Sequence, residues 1–192
     1  MKTVLLAKED QTVKETLEAL DITVIAEAGI LDAVGQATIL RKAEIERREF
    51  FFQLMRIFER NGHTVCILGD DTVEMDKTVQ YLREVFPRLK VIGTQIIKPG
   101  VHMEDKVIND INMLAPDVVL SVLSSPMQEY FLKKYKLMLF AKIWYGVGSQ
   151  RITGMKLTML ARIKKFFNKH MFKRYVERQE RRDEIINKES EE

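Results

Sequence analysis

The sequence predicts an α/β fold, with a Rossmann-like, mostly parallel sheet, helices on both of its faces, and a basic helical appendage at the carboxyl end. Three observations support this prediction. Short apolar runs rich in β-branched residues alternate with longer helical patterns, which is typical of βαβ units. The hydrophobic fraction of 46% and the ten Phe among 192 residues are sufficient for a buried core. From Thr153 onward the strand pattern stops and charged, helix-forming sequence remains.

The elements follow from the spacing of the apolar residues. Six short apolar runs are predicted as strands, at residues 3–7, 22–26, 64–68, 90–94, 117–123 and 142–147. Helical patterns lie between most of them, at 11–20, 30–60, 73–86, 103–114 and 126–135. The long second helix is expected to end at Asn61, with Gly62 as a left-handed cap. We place an α/β domain at residues 1–152 and a helical basic tail at 153–192.

The composition argues against several classes of protein. The single cysteine, Cys66, lies in an apolar run, so no disulfide framework exists and a reducing cytoplasm is expected. No apolar run reaches the roughly 18 residues of a membrane span, and the apolar stretch at residues 1–7 is too short for a secretory signal. The histidines show no ligand spacing, and no glycine-rich phosphate loop is present. We therefore expect neither a metal nor a cofactor.

The segment from residue 116 to residue 148 carries the candidate binding site. Its apolar run ends in Ser124 and Ser125, and a helix starts directly after them. Ligands of open parallel sheets bind beyond the carboxyl ends of the strands. Gln128 and Glu129 in the first helical turn are therefore candidate ligand-binding residues, or alternatively a solvated turn that the helix dipole favours. Ser124 and Ser125 either bind phosphate or cap the helix.

Glycines lie at the ends of two of the predicted strands. Gly69, Gly146 and Gly148 would let a ligand approach the backbone closely, or would form tight turns. Asp70 and Asp71 follow the first of them, but two carboxylates without further oxygen ligands are weak evidence for a metal. We expect a helix N-cap at Asp71 or at the threonine that follows it.

The tail concentrates positive charge. Residues 156–182 carry a net charge of +8 and residues 183–192 a net charge of −4, although the whole chain is only +3. Apolar residues recur at helical spacing within the basic block, which is typical of a helix that lies on an anionic membrane. A helix packed on the body and a nucleic-acid arm are the alternatives; we expect no nucleic-acid partner. The predicted membrane contacts are Lys164, Lys165, Phe167, Lys173 and Arg174.

Several motifs together resemble a known family. Ser-Pro-x-Gln-Glu at 125–129 follows a buried strand, and Gly-Val-Gly at 146–148 ends the next one. The stretches at 62–69, 86–94 and 108–117 add a strand ending in glycine, a Pro-x-Leu-Lys-Val-Ile-Gly-Thr run and an Ile-Asn to Pro-Asp run. Over roughly residues 60 to 148 the chain resembles the WecB/TagA/CpsF (WecG) glycosyltransferases.

This resemblance implies an inverting N-acetylhexosaminyltransferase. Its donor would be a UDP-sugar such as UDP-N-acetylmannosamine, and its acceptor an undecaprenyl-diphosphate-linked sugar in the synthesis of teichoic acid or another cell-surface polysaccharide. The resemblance also implies an arginine-rich carboxyl-terminal region that meets the membrane, so we expect a cytoplasmic protein that is peripheral at the inner face of the cell membrane. It places Ser124, Gln128 and Glu129 on the nucleotide side. Self-association into a homo-oligomer is left open.

The chain departs from the family's pattern at its catalytic positions. Ala28 stands where the family has the Asp of an Asp-Gly pair, its proposed general base, and the adjacent Glu27 is the remaining candidate. The family's Thr-x-Asn is missing near Leu6, and the Asp after Gly-Val-Gly is missing beyond Gly148. A second interpretation is therefore a non-catalytic relative that binds a nucleotide sugar or a partner transferase at the membrane. A third is an unrelated Rossmann-like nucleotide-binding module.

Overall fold

The structure is a computed structural model that describes residues 2–98 and 104–147. The described elements, in chain order, are α1 (Lys2–Glu9), α2 (Gln11–Glu18), α3 (Ala28–Ala33), α4 (Ile39–Glu46), α5 (Glu49–Asn61), β1 (Thr64–Gly69), α6 (Thr72–Val85), β2 (Lys90–Ile96), α7 (Glu104–Leu114), β3 (Val118–Ser121), α8 (Met127–Tyr135) and β4 (Ile143–Gly146). They fall into two compact units. One contains residues 2–5 and 21–50, and the other contains residues 6–20, 51–98 and 104–147.

The larger unit is built on a four-stranded parallel sheet in the order β2-β1-β3-β4. In the register of this sheet, Leu68 of β1 pairs with Ser121 of β3, which pairs with Gly146 of β4. On the other side of β1, Gly69 pairs with Ile96 at the end of β2. All four carboxyl ends therefore lie at one edge of the sheet, which confirms the predicted α/β architecture.

Successive residues of the strands point to opposite faces of the sheet, and each face has its own core. On one face, α5 and α6 cover the strands with a cluster whose fully buried members include Met55, Phe58, Val65, Ile67, Met75, Leu82, Val118 and Leu120. On the other face, α7 and α8 contribute to a cluster whose members include Cys66, Leu68, Val107, Ile108, Ile111, Val119, Phe131 and Tyr135. β1 and β3 are apolar on both faces because helices cover both.

Two of the six predicted strands are wrong. Residues 3–7 lie in helix α1, and residues 22–26 lie outside regular secondary structure. The first run is too short for periodicity to separate strand from helix, and its Leu and Ala residues are good helix formers. The second run is β-branched, but none of the described strands pairs with it, and the side chain of Ile22 is 73% exposed. Local β-propensity without a pairing partner does not make a strand.

The single helix predicted at 30–60 is also wrong, because three helices occupy that stretch. α3 and α4 are separated by a turn in which Gly35 has a φ of 66°. Thr38 then caps α4, its hydroxyl accepting the N–H of Arg41 at 3.2 Å. Arg48, with a φ of 53°, separates α4 from α5. A residue in the left-handed region cannot continue a right-handed helix, so each of these positions ends one.

The predicted cap at Gly62 and the predicted start of the helix that follows β1 are both confirmed. Gly62 has a φ of 69° after α5, where its N–H donates to the carbonyl of Glu59 and the N–H of His63 donates to that of Phe58. These two bonds form a Schellman cap. Asp71 is the N-cap of α6, and its carboxylate accepts the N–H of Glu74 at 3.0 Å.

Asp117 connects three strands at the amino-terminal edge of the sheet. Its Oδ2 accepts the N–H of Thr64 at 2.9 Å and the Thr64 hydroxyl at 3.0 Å, and its Oδ1 accepts Lys142 Nζ at 2.8 Å. The backbone carbonyl of Asp117 accepts the N–H groups of Lys142 and Ile143. His63 Nδ1 lies 3.7 Å from Oδ2. The hydrogen bond from Lys142, followed by those from Thr64, holds the pKa of Asp117 well below its usual range.

The appendage prediction lies outside the described residues. Gly148 and the predicted membrane contacts Lys164, Lys165, Phe167, Lys173 and Arg174 belong to residues 148–192, so their roles stay predictions. Across residues 2–98 and 104–147, none of the helices is both long and apolar enough to span a membrane.

Candidate functional site

The carboxyl edge of the sheet brings most of the predicted site residues together. Ser124 and Ser125 lie in the loop after β3, and Gln128 and Glu129 lie in the first turn of α8. Gly146 ends β4, the strand that pairs with β3. The other neighbour of β3 is β1, which ends at Gly69. These residues therefore border one end of a three-strand segment, as expected for a parallel-sheet site.

The loop before α8 is held by a contact that the sequence did not predict. Asp70, directly after β1, accepts two hydrogen bonds through its Oδ2: one from the Ser124 N–H at 3.0 Å and one from the Ser124 hydroxyl at 2.5 Å. Both donors of Ser124 are therefore directed at a carboxylate. The N-cap of α8 is Pro126, which makes no side-chain capping bond, so the Ser124 hydroxyl does not cap this helix.

Glu129 is the most unusual residue of the edge. Its side chain is 3% exposed, and its Oε2 has no hydrogen-bond partner among the described residues. Gln128 Oε1 and Ser121 Oγ are likewise buried and without a described partner. A buried polar atom that lacks a partner costs free energy, and an ionised one costs more. The end of β3 and the start of α8 thus present buried oxygen acceptors that are not satisfied within the described part of the chain.

Packing explains why glycines end β1 and β4. A Cβ at Gly146 would lie 2.8 Å from Gln128 Nε2 and 2.9 Å from Gln128 Oε1, so the Gln128 amide lies directly against this strand end. A Cβ at Gly69 would lie 2.8 Å from Met75 Cε and 3.1 Å from Val122 Cγ2. These two glycines therefore lie in close contact with side chains, and neither has the positive φ of a tight turn. Their contact with a ligand stays a prediction.

Helix α2 fixes α8 from the side. Thr16 Oγ1 lies 2.8 Å from the carbonyl oxygen of Thr12 and 3.4 Å from that of Glu129. The Tyr130 hydroxyl donates to the carboxylate of Asp10, which also caps α2. Lys133 Nζ and Glu15 Oε2 form an ion pair at 3.0 Å. The position of Gln128 and Glu129 therefore depends on a helix that is distant in the sequence.

The remaining candidate residues lie elsewhere. Glu27 is the N-cap residue of α3, in the other unit, and its role as a base stays a prediction. Cys66 is fully buried in β1, and burial raises the pKa of its thiol to about 11, which makes it a poor nucleophile. Within the described ranges, no group of three His, Cys, Asp or Glu side chains is arranged to hold a metal ion.

Comparison with known families gives a match that covers most of the chain. The model of the glycosyl transferase WecG/TagA/CpsF family matches residues 1–150. The match includes all of the described carboxyl edge. It argues against an unrelated nucleotide-binding module. Among curated proteins, no match to the chain was found.

Proposed function

Because the chain belongs to the WecG/TagA/CpsF family of glycosyl transferases, we propose that it transfers an N-acetylhexosamine from a UDP-sugar to a lipid-linked sugar. N-acetylmannosamine is the proposed donor sugar, and an undecaprenyl-diphosphate-linked sugar is the proposed acceptor. The product would enter teichoic acid or a related cell-surface polysaccharide. The proposed reaction needs no metal and no cofactor if N–H groups and basic side chains stabilise the departing UDP.

The observation that carries this proposal is the set of buried acceptors at the carboxyl edge. Glu129 Oε2, Gln128 Oε1 and Ser121 Oγ are each buried, and they belong to the end of β3 and the start of α8. Such oxygens are satisfied by a ligand that brings N–H and O–H donors. The uracil N–H, the ribose diol and the hexosamine hydroxyl groups of a UDP-sugar are donors of this kind. A site that binds only an inorganic anion would present donors instead.

The same geometry supports different roles for different residues in the proposed binding of the donor. Gln128 and Glu129 suit the neutral, hydroxyl-bearing parts of the nucleotide sugar. Ser124 does not suit the diphosphate, because its N–H and hydroxyl both donate to Asp70. The diphosphate would instead require other N–H groups near the start of α8, or Lys and Arg side chains.

The chemical step is proposed as an inverting displacement at the anomeric carbon. A base removes the proton of the acceptor hydroxyl, the acceptor oxygen bonds to the anomeric carbon, and the bond from that carbon to the oxygen of UDP breaks, so that UDP leaves; Glu27 is the proposed base. The basic tail at 153–192 is proposed to bind the anionic membrane surface, where the lipid-linked acceptor is found. A homo-oligomer is compatible with this scheme and is not required by it.

One observation favours a second candidate function, a non-catalytic relative that binds a nucleotide sugar. Ala28 begins α3 at the position where the family's proposed base would stand, and Ala has no group that can accept a proton. A protein with this substitution keeps the acceptors of the carboxyl edge and can bind the donor without transferring the sugar.

A UDP-release assay tests the proposal and separates the two functions. UDP-N-acetylhexosamines and a short-lipid diphosphate acceptor are supplied to the wild type and to Ala28→Asp and Glu27→Gln variants. We expect slow, acceptor-dependent release in the wild type, and a gain in Ala28→Asp within the roughly 10²–10⁴-fold range of a positioned base. Full activity in Glu27→Gln would exclude Glu27 as the base. Calorimetry that detects binding of UDP without any release would establish the non-catalytic function, and the absence of both would overturn the proposal.

A further inference from the structure

We propose that Asp70 is a positioning residue that holds the start of α8, and with it Gln128 and Glu129, in the arrangement that binds the nucleotide sugar. This inference rests on the proposed function, because its ligand is the nucleotide sugar proposed there. It adds a residue that neither the sequence nor the family resemblance indicated. Asp70 acts through Ser124 and need not touch the substrate.

The contact joins two chain segments where the sheet ends. The Val122 N–H donates to the carbonyl of Leu68 at 2.8 Å, one residue beyond the paired part of β3. Past this bond the chain after β1 turns into α6 and the chain after β3 turns toward α8. The two hydrogen bonds between Asp70 and Ser124 are the next tie described between these segments. Bonds to a carboxylate are about twice as strong as neutral ones.

The start of α8 depends on this tie because its own cap is weak. Pro126 is the N-cap residue and contributes no side-chain capping bond. The carbonyl of Ser124 accepts the Gln128 N–H at 3.0 Å. Because of this bond, a fixed Ser124 also holds Gln128 in the first turn of α8. Hydrogen bonds therefore connect Asp70 to Ser124 and Ser124 to Gln128, which links the carboxylate to the proposed site.

The adjacent carboxylate has a separate task, which provides a matched control. Asp71 caps α6 by accepting the N–H of Glu74 at 3.0 Å. No described hydrogen bond joins Asp71 to the loop before α8. Gly69, the residue before Asp70, lies against the side chains of Met75 and Val122, where a Cβ would be 2.8 Å from Met75 Cε and 3.1 Å from Val122 Cγ2. Two neighbouring acids of equal charge thus stabilise different elements.

Calorimetric titration with UDP tests the proposal on the full chain. We expect Asp70→Ala to weaken UDP binding about tenfold, the equivalent of one lost hydrogen bond. Asp70→Asn retains an oxygen acceptor for Ser124, so its affinity should stay within about threefold of the wild type. Asp71→Ala loses a helix cap and some thermal stability but should bind UDP as the wild type does. Equal affinities in Asp70→Ala and the wild type, or an equal loss in Asp71→Ala, would overturn the assignment.

Hydrogen exchange tests the positioning role of Asp70 without any ligand. Hydrogen exchange at the amides of residues 128–130 should accelerate in Asp70→Ala and in Ser124→Ala, and the double variant should be no faster than either. Unchanged exchange in Asp70→Ala would overturn the positioning role whether or not UDP binds. If the wild type itself does not bind UDP, the nucleotide-sugar function fails, and accelerated exchange would still establish that Asp70 fixes this helix start.

Discussion

Glu129 combines two properties that a purely structural residue rarely has, burial and an unsatisfied carboxylate oxygen. Its side chain is 3% exposed, and its Oε2 lacks a partner among the described residues. Replacing the carboxyl group with an amide should stabilise the ligand-free fold, because a buried carboxyl oxygen without a partner is costly. Retaining it makes sense if a ligand supplies the missing donor. Many binding sites contain groups that lower the stability of the ligand-free protein.

We expect Glu129→Gln to separate stability from binding. The variant should raise the free energy of unfolding of the ligand-free protein by about 1 kcal/mol and weaken UDP binding about tenfold. Chemical denaturation and calorimetric titration measure the two quantities. Glu18→Gln, which alters an exposed carboxylate of α2 that pairs with Lys14 of the same helix, serves as the control and should change neither. A destabilised Glu129→Gln variant with normal UDP affinity would contradict the proposed role.

The elements show which parts of the fold local sequence determines. β1 and β3 were predicted because helices on both faces make their sequences continuously apolar. The ends of α5 and α6 were predicted because Gly62 and Asp71 carry their own conformational and capping preferences. The run at 22–26 was misassigned because strand formation depends on a partner that its sequence does not specify. The contact between Asp70 and Ser124 was missed for the same reason, since it joins loops that only the folded sheet brings together.

The Schellman cap of α5 gives a prediction at this scale. Gly62→Ala should lower the free energy of unfolding by about 1–2 kcal/mol, because a residue with a Cβ is strained at a φ of 69°. Space is not the cause, as the nearest atom to the new Cβ would be Lys90 Nζ at 3.4 Å. Gly62→Asn should lose less, since Asn tolerates this conformation better. Denaturant unfolding of both variants measures the difference, and equal losses would contradict the conformational explanation.

At the scale of the whole molecule, the sheet has chemically distinct edges. The carboxyl edge carries unsatisfied acceptors and the proposed site. The amino-terminal edge is closed by Asp117, which bonds to Thr64 before β1 pairs with β3 and to Lys142 before β4 begins. One edge is therefore closed by hydrogen bonds, and the opposite edge holds the proposed binding site.

Asp117 should make the stability of the molecule sensitive to acid. Its pKa is lowered in the folded state, so its contribution is complete above the ordinary aspartate pKa of about 4 and is lost as the pH falls below it. Asp117→Asn should therefore melt below the wild type at pH 7, with a difference that shrinks between pH 5 and pH 3. Circular dichroism melts measure it. The Asp76→Asn variant is the control for the loss of one negative charge. The comparison is repeated in a His63→Gln variant, which lacks the imidazole beside Asp117. A difference that is constant with pH would contradict this role.

The strand order has a consequence for how the chain reaches its native state. β1 is the first strand of the described sheet in chain order, yet it lies between β2 and β3. Its backbone groups can therefore pair on either side only after these later strands have formed. Thr64 pairs with Lys90, and Val65 pairs with Val118, so each pairing closes a long stretch of chain that includes at least one helix. Loop closure of this kind is entropically costly and slows folding. The apolar residues of β1 therefore stay exposed until β3 pairs with it, and the rate of that pairing should influence both folding speed and loss of chains to aggregation.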